Sequence, residues 1–124
     1  MSDIQMTRGD SAAFEVEVTR YNEITRLDEP VNLTGAKAWF TVKRRRTDLD
    51  VDAIVQRNSV VNPSEIQITP LEGLITIQML PTDTQDITER WLRYDVQIKE
   101  LSGAITTVQA GSLELIKDTT ITNV

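Results

Sequence analysis

The most polar stretch of the chain is Arg44-Arg45-Arg46 followed by Asp48, Asp50 and Asp52, and its residue types are those that most readily suggest chemistry. Consecutive arginines suit phosphate, because a guanidinium pairs with an oxyanion in a fixed fork. The aspartates that follow within a few residues cancel that field. Asp48-x-Asp50-x-Asp52 also has the opening spacing of a calcium loop. Such a loop needs a glycine at its sixth position and a bidentate glutamate at its twelfth, and here those positions hold Ala53 and Ser59. The stretch therefore reads as a solvated connection, and no metal site is expected.

The remaining chemistry is bounded by what the chain lacks. Without cysteine there are no disulfides, thiolate metal sites or cysteine nucleophiles. Without histidine, the Ser-His-Asp and Cys-His arrangements and the usual neutral-pH general base are lost as well. Carboxylates are plentiful, but glycosidase chemistry needs two of them facing each other in a cleft, whereas the alternation places these acids on outward strand faces and in loops. No catalytic residue and no cofactor is expected. Arg8-Gly9-Asp10 matches an adhesion tripeptide, but three residues make a weak match, and the glycine reads as the turn before the first strand. Trp39 is the oddity, a large aromatic on a strand face that also carries Lys37 and Lys43. Tryptophan is favoured at interface centres, so Lys37, Trp39 and Lys43 form the candidate interface; the alternative is a ring that covers a neighbouring strand or lies beneath the 21–32 loop.

The elements that must position these residues are strands. Residues 14–19 alternate strictly, with Phe14, Val16 and Val18 on one face, the pattern of a half-buried antiparallel strand. The stretch 21–32 reads as a polar loop. Ala36, Ala38, Phe40 and Val42 form the inner face of the next strand, and a short one is expected over 53–57. Residues 65–69 and 74–79 make a hairpin around Pro70-Leu71-Glu72-Gly73. Pro81 ends that strand, and Thr82 with Gln85 has capping-box spacing, which predicts a helical turn over 82–88. Leu92, Tyr94, Val96 and Ile98 share one face of the strand that follows. Tyr94 sits where a sandwich domain places a corner tyrosine, whose hydroxyl would tie down the crossing loop. The last strand, about 106–116, carries Gly111 in its middle, which suggests a bulge there.

Together these give an all-β chain, a single antiparallel β-sandwich with one helical turn between late strands. At 124 residues it is one domain, long enough to bury roughly two-thirds of its unfolded surface. It spans 1–124, with a polar N-terminal segment over about 1–12, a loose arm or a short edge strand, and a Thr-rich tail over about 118–124. The formal charge of −6 argues against a nucleic-acid partner, since phosphate needs a cationic face. The N-terminus has neither a basic region nor an apolar run, and no stretch of about 18 apolar residues could span a bilayer. Synthesis in a cytoplasm and no membrane partner are the corresponding expectations.

Several local patterns occur in one order: Arg8-Gly9-Asp10 before the Phe14 strand, Glu29-Pro30-Val31-Asn32-Leu33-Thr34-Gly35-Ala36, and Phe40-Thr41-Val42-Lys43. Gly73-Leu74-Ile75-Thr76-Ile77, Pro81-Thr82-Asp83-Thr84 and Tyr94-Asp95-Val96-Gln97-Ile98 follow. The set resembles the Ig-like β-sandwich module of tailed-phage structural proteins, best known as the N-terminal domain of siphophage baseplate upper proteins. The resemblance implies a non-enzymatic virion part, present in many copies and docked on other phage virion proteins through a sheet face or edge. Family members usually continue into a coil or a receptor-binding region, and this sequence departs from that. The departure favours an adaptor, a tail or baseplate accessory, or a capsid decoration protein, located in the virion and made in the host cytoplasm. The alternative is a carbohydrate-binding or adhesin-like module with Trp39 and Trp91 as its platform.

Overall fold

The computed structural model describes residues 3–45 and 47–117. The Thr-rich tail and Arg46 lie outside the described residues. The chain is all-β, with strands β1 (Ile4–Thr7), β2 (Ala12–Glu17), β3 (Thr19–Asn22), β4 (Leu27–Pro30) and β5 (Lys37–Lys43) in its first part. There follow β6 (Val55–Asn58), β7 (Ile66–Thr69), β8 (Leu74–Met79), a single helical turn α1 (Pro81–Thr84), β9 (Trp91–Lys99) and β10 (Ile105–Ile116). Short 3₁₀ turns occupy Asp50–Asp52 and Pro70–Glu72.

A five-stranded sheet has the order β1-β10-β9-β5-β6, and a three-stranded sheet has the order β2-β8-β7. Both turn their apolar faces toward one core. Ala38, Phe40 and Val42 of β5 and Leu92, Tyr94, Val96 and Ile98 of β9 are buried on one side; Val16, Ile75, Ile77 and Met79 are buried on the other. The two sheets meet at Phe14 of β2 and Phe40 of β5, whose rings contact edge-to-face at 5.5 Å between centroids. The arrangement is sandwich-like, and the expected inner faces are the observed ones.

Four local expectations change. All pairs are antiparallel except β1 with β10, which run parallel with Ile4 opposite Leu113. Of the two forms expected for the residues before 12, the edge strand is the one observed, fixed by partners at the far end of the chain. The stretch 21–32 is a hairpin rather than a loop, because β3 and β4 pair as a two-stranded sheet with Asn22 opposite Leu27. The Asn22 side chain shapes its turn, accepting from the Ile24 and Thr25 N–H groups at 2.8 and 3.2 Å, while Arg26 adopts φ 59°. The helical turn stops at Thr84, and its cap comes from Asp83, whose Oδ2 accepts from the Leu80 N–H at 2.8 Å. The bulge falls between Thr107 and Gln109 rather than at Gly111, which stays in the ladder opposite Tyr94.

Gly73 fixes the root of the β3–β4 hairpin. Its carbonyl accepts from the Val18 N–H at 2.7 Å, and Val18 in turn accepts from the Val31 N–H at 2.9 Å. Gly73 has φ 60°, and a Cβ there would lie 2.6 Å from the Val18 carbonyl oxygen and 2.9 Å from that of Val31. Only glycine allows this three-way junction. At Arg8-Gly9-Asp10 the glycine does supply the turn, with φ 82°. Arg8 is part-buried and donates to the Ile87 carbonyl at 2.7 Å, and the Gly9 N–H donates to the buried Thr84 hydroxyl at 2.9 Å. The tripeptide is therefore docked on the α1 segment rather than presented on a free loop.

Candidate functional site

The period-2 geometry that buries Ala38, Phe40 and Val42 necessarily turns Lys37, Trp39, Thr41 and Lys43 to the outer face of the five-stranded sheet. On β9 the same rule turns out Trp91, Arg93, Asp95 and Gln97. Register then sets these residues in rows across the strands. Trp39 stands opposite Gln97, and Gln97 opposite Thr107; Thr41 stands opposite Asp95, and Asp95 opposite Ala110; Lys43 stands opposite Arg93, and Arg93 opposite Ser112. In the middle row the short side chains of Thr41 and Ala110 flank Asp95, with Gln56 of β6 beyond Thr41, so the face dips there between longer side chains. The result is a pair of concavities of about 530 and 390 Å³ that share Thr41, Lys43 and Asp95. They form one groove, with Trp39 and Gln97 toward one end and Arg93 toward the other.

The groove is charged but balanced. Lys43 Nζ pairs with Asp50 Oδ1 at 2.8 Å, so the 3₁₀ turn at Asp50–Asp52 walls one side. Arg93 donates to the Ser112 hydroxyl at 2.7 Å, and Gln97 to the Thr107 hydroxyl at 3.3 Å. Partial burial raises the Asp95 carboxyl above the ordinary aspartate value; the Lys43 ammonium opposes the rise and the Asp50 carboxylate adds to it. Beneath the groove, burial raises the Tyr94 hydroxyl, with the Gln109 hydrogen bond acting against the rise. That hydroxyl accepts from Gln109 Nε2 at 2.8 Å, and this contact ties β9 to the strand beside it at the bulge.

The expected interface residues are only partly brought together. Trp39 is half-buried and Lys43 largely covered, and both line the groove; Lys37 is exposed outside it, opposite Lys99. Trp91 lies on the same outer face and is 52% exposed, with the Arg90 guanidinium 5.6 Å from its ring centre. It is six positions along β9 from Gln97, about 20 Å at the rise of a strand, so the two tryptophans share a face without forming one platform. Asp95, Gln97, Gln56 and Arg93 were not singled out from sequence. Their outward direction was readable from alternation, but their convergence depends on register.

The aspartates of 48–52 diverge: Asp48 accepts from the Arg45 N–H and Asp50 holds Lys43. Among the described residues no group of three or more acidic side chains is placed to hold a metal ion. No described helix is long and apolar enough to cross a membrane.

The β3–β4 hairpin is a second surface of a different kind. It belongs to neither large sheet. Tyr21 is 57% exposed, Ile24 93% and Leu27 64%. Tyr21 stands opposite Asp28 on one face and Leu27 opposite Asn22 on the other, with Ile24 in the turn. The hairpin thus shows apolar groups on both faces and at its tip.

No protein-family model matches the chain, and no curated protein matches it.

Proposed function

We propose that this chain is a non-enzymatic structural component of a bacteriophage virion, an adaptor, tail or baseplate accessory, or capsid decoration protein that docks on other virion proteins. The observation that carries the reading is the β3–β4 hairpin, an arm outside both sheets with three large apolar side chains in water. Three such groups gathered on one arm, on both its faces and at its tip, suit insertion into a cleft of a partner subunit. The ordered motifs of the phage-like resemblance support the same reading. Docking through the hairpin moves the anchor from Trp39, which is half-buried in a polar groove, to Tyr21, Ile24 and Leu27.

The test is quantitative mass spectrometry of purified particles, with copy number measured against the major capsid protein. A fixed stoichiometry is expected. Absence from intact particles despite expression during infection would end the proposal.

A further inference from the structure

We infer that the groove on the outer face of the five-stranded sheet binds a neutral saccharide chain. The inference stands apart from the docking reading, because it uses the opposite kind of surface and none of the hairpin residues.

Charge balance makes the first argument. Lys43 and Arg93 are offset by Asp50 and Asp95 within the groove, so neither a polyanion nor a polycation finds a net field. Nucleic acid needs an excess of cations, and the centre of a protein interface is depleted in charge. A neutral, hydroxyl-rich ligand meets neither objection.

Hydrogen-bonding capacity makes the second. Among the described residues the Asp95 carboxylate, the Thr41 hydroxyl and the Gln56 amide make no side-chain hydrogen bond within the protein, and they face the same space. A carboxylate and an amide each present paired polar atoms in a plane, which matches two neighbouring hydroxyls of a sugar ring. Trp39 supplies the complementary part, an aromatic surface for the apolar C–H face of the same ring. A few convergent polar groups beside an aromatic wall are the usual composition of a small-ligand site.

Shape and support make the third. From Gln97 to Arg93 the groove follows β9 for about 13 Å at the rise of a strand, room for a short oligosaccharide rather than a single ring. β5 and β9 are paired on both sides, so the polar groups stand on fixed backbone and little order has to be imposed on binding.

The experiment is calorimetric titration of the whole chain with cellohexaose, maltohexaose and chitohexaose, with hexagalacturonate as the anionic control. At least one neutral chain should bind, with a Kd between about 10 µM and 1 mM. Trp39→Ala and Asp95→Asn should each weaken it about tenfold or more, while Trp91→Ala should leave it unchanged. Trp39→Phe should retain most of the affinity; if Trp39→Ala unfolds, this variant together with Gln97→Ala carries the test. No saturable heat with any of the three neutral chains up to about 10 mM overturns the inference. Binding of hexagalacturonate alone, or loss of binding through Trp91→Ala rather than Asp95→Asn, overturns it equally.

Discussion

The β3–β4 hairpin and the outer groove of the five-stranded sheet expose opposite chemistry on opposite kinds of support. The groove stands on β5 and β9, central strands with a neighbour on each side, and it shows water a balanced set of polar groups around one half-buried ring, with Ile105 at its edge. The hairpin has its own ladder, a root at Gly73 and an Arg20–Glu100 ion pair at 3.3 Å, yet it exposes Tyr21, Ile24 and Leu27. A rigid polar surface is ready for a small ligand. A lightly held apolar arm gains stability only when something covers it. The difference argues for two surfaces with separate tasks rather than one extended interface.

Substitutions should separate the two. The largest effect is expected beneath the groove: Phe40 is fully buried and contacts both Phe14 and Tyr94. Phe40→Ala should cost about 3 to 5 kcal/mol by chemical denaturation, and should disturb both surfaces because they share that core. Next is Gly73→Ala, where φ 60° and a Cβ at 2.6 Å from the Val18 carbonyl leave no room. It should cost about 2 to 3 kcal/mol, with amide exchange rising first in β3 and β4. Equal loss of protection in β5 and β9 would mean that the hairpin is not a separable arm.

Replacing Tyr21, Ile24 and Leu27 together with serine should change stability little, since exposed substitutions fall within about 0.5 kcal/mol each. A large drop in the thermal midpoint would mean that these side chains support the fold. The smallest effect is expected at Asp95. Burial raises its pKa, so the folded state holds the proton more tightly than the unfolded one. The stabilisation from this group is fully present below the unfolded value and is lost as pH rises through the folded value. Wild type should therefore lose stability relative to Asp95→Asn as pH climbs from the ordinary aspartate value of 3.8. The opposite slope would show that Lys43 dominates the carboxyl and that the groove carries a closed ion pair.

The inner faces were legible in the sequence because alternation is local: Phe40 and Val42, Ile75 and Ile77, and Leu92 to Ile98 each announce a buried side within a few residues. The hairpin was not, because Tyr21 and Leu27 stand among charged neighbours and the stretch reads as a polar loop. Asn22 was the available signal, a side chain able to fold the turn that follows it. The bulge was misplaced onto Gly111 because glycine marks some bulges, whereas a bulged residue near the right-handed region needs none. Val108 is the extra residue between the paired Thr107 and Gln109. Parallel pairing of β1 with β10 joins residues more than a hundred positions apart, and no local pattern encodes it. The groove was hidden for the same reason. Trp39 and Lys43 could be placed on one face, but Asp95 and Gln97 become their neighbours only through the β5–β9 register.

The most direct test of the division is incorporation into particles, measured side by side for wild type, the Tyr21/Ile24/Leu27 serine variant and Trp39→Ala. Loss of even one anchoring apolar group at an interface centre commonly costs 2 kcal/mol or more, roughly thirtyfold in affinity. The account predicts that the hairpin variant folds but is absent from purified virions, while Trp39→Ala is present at wild-type copy number. Normal incorporation of the hairpin variant, with loss of Trp39→Ala instead, would contradict it.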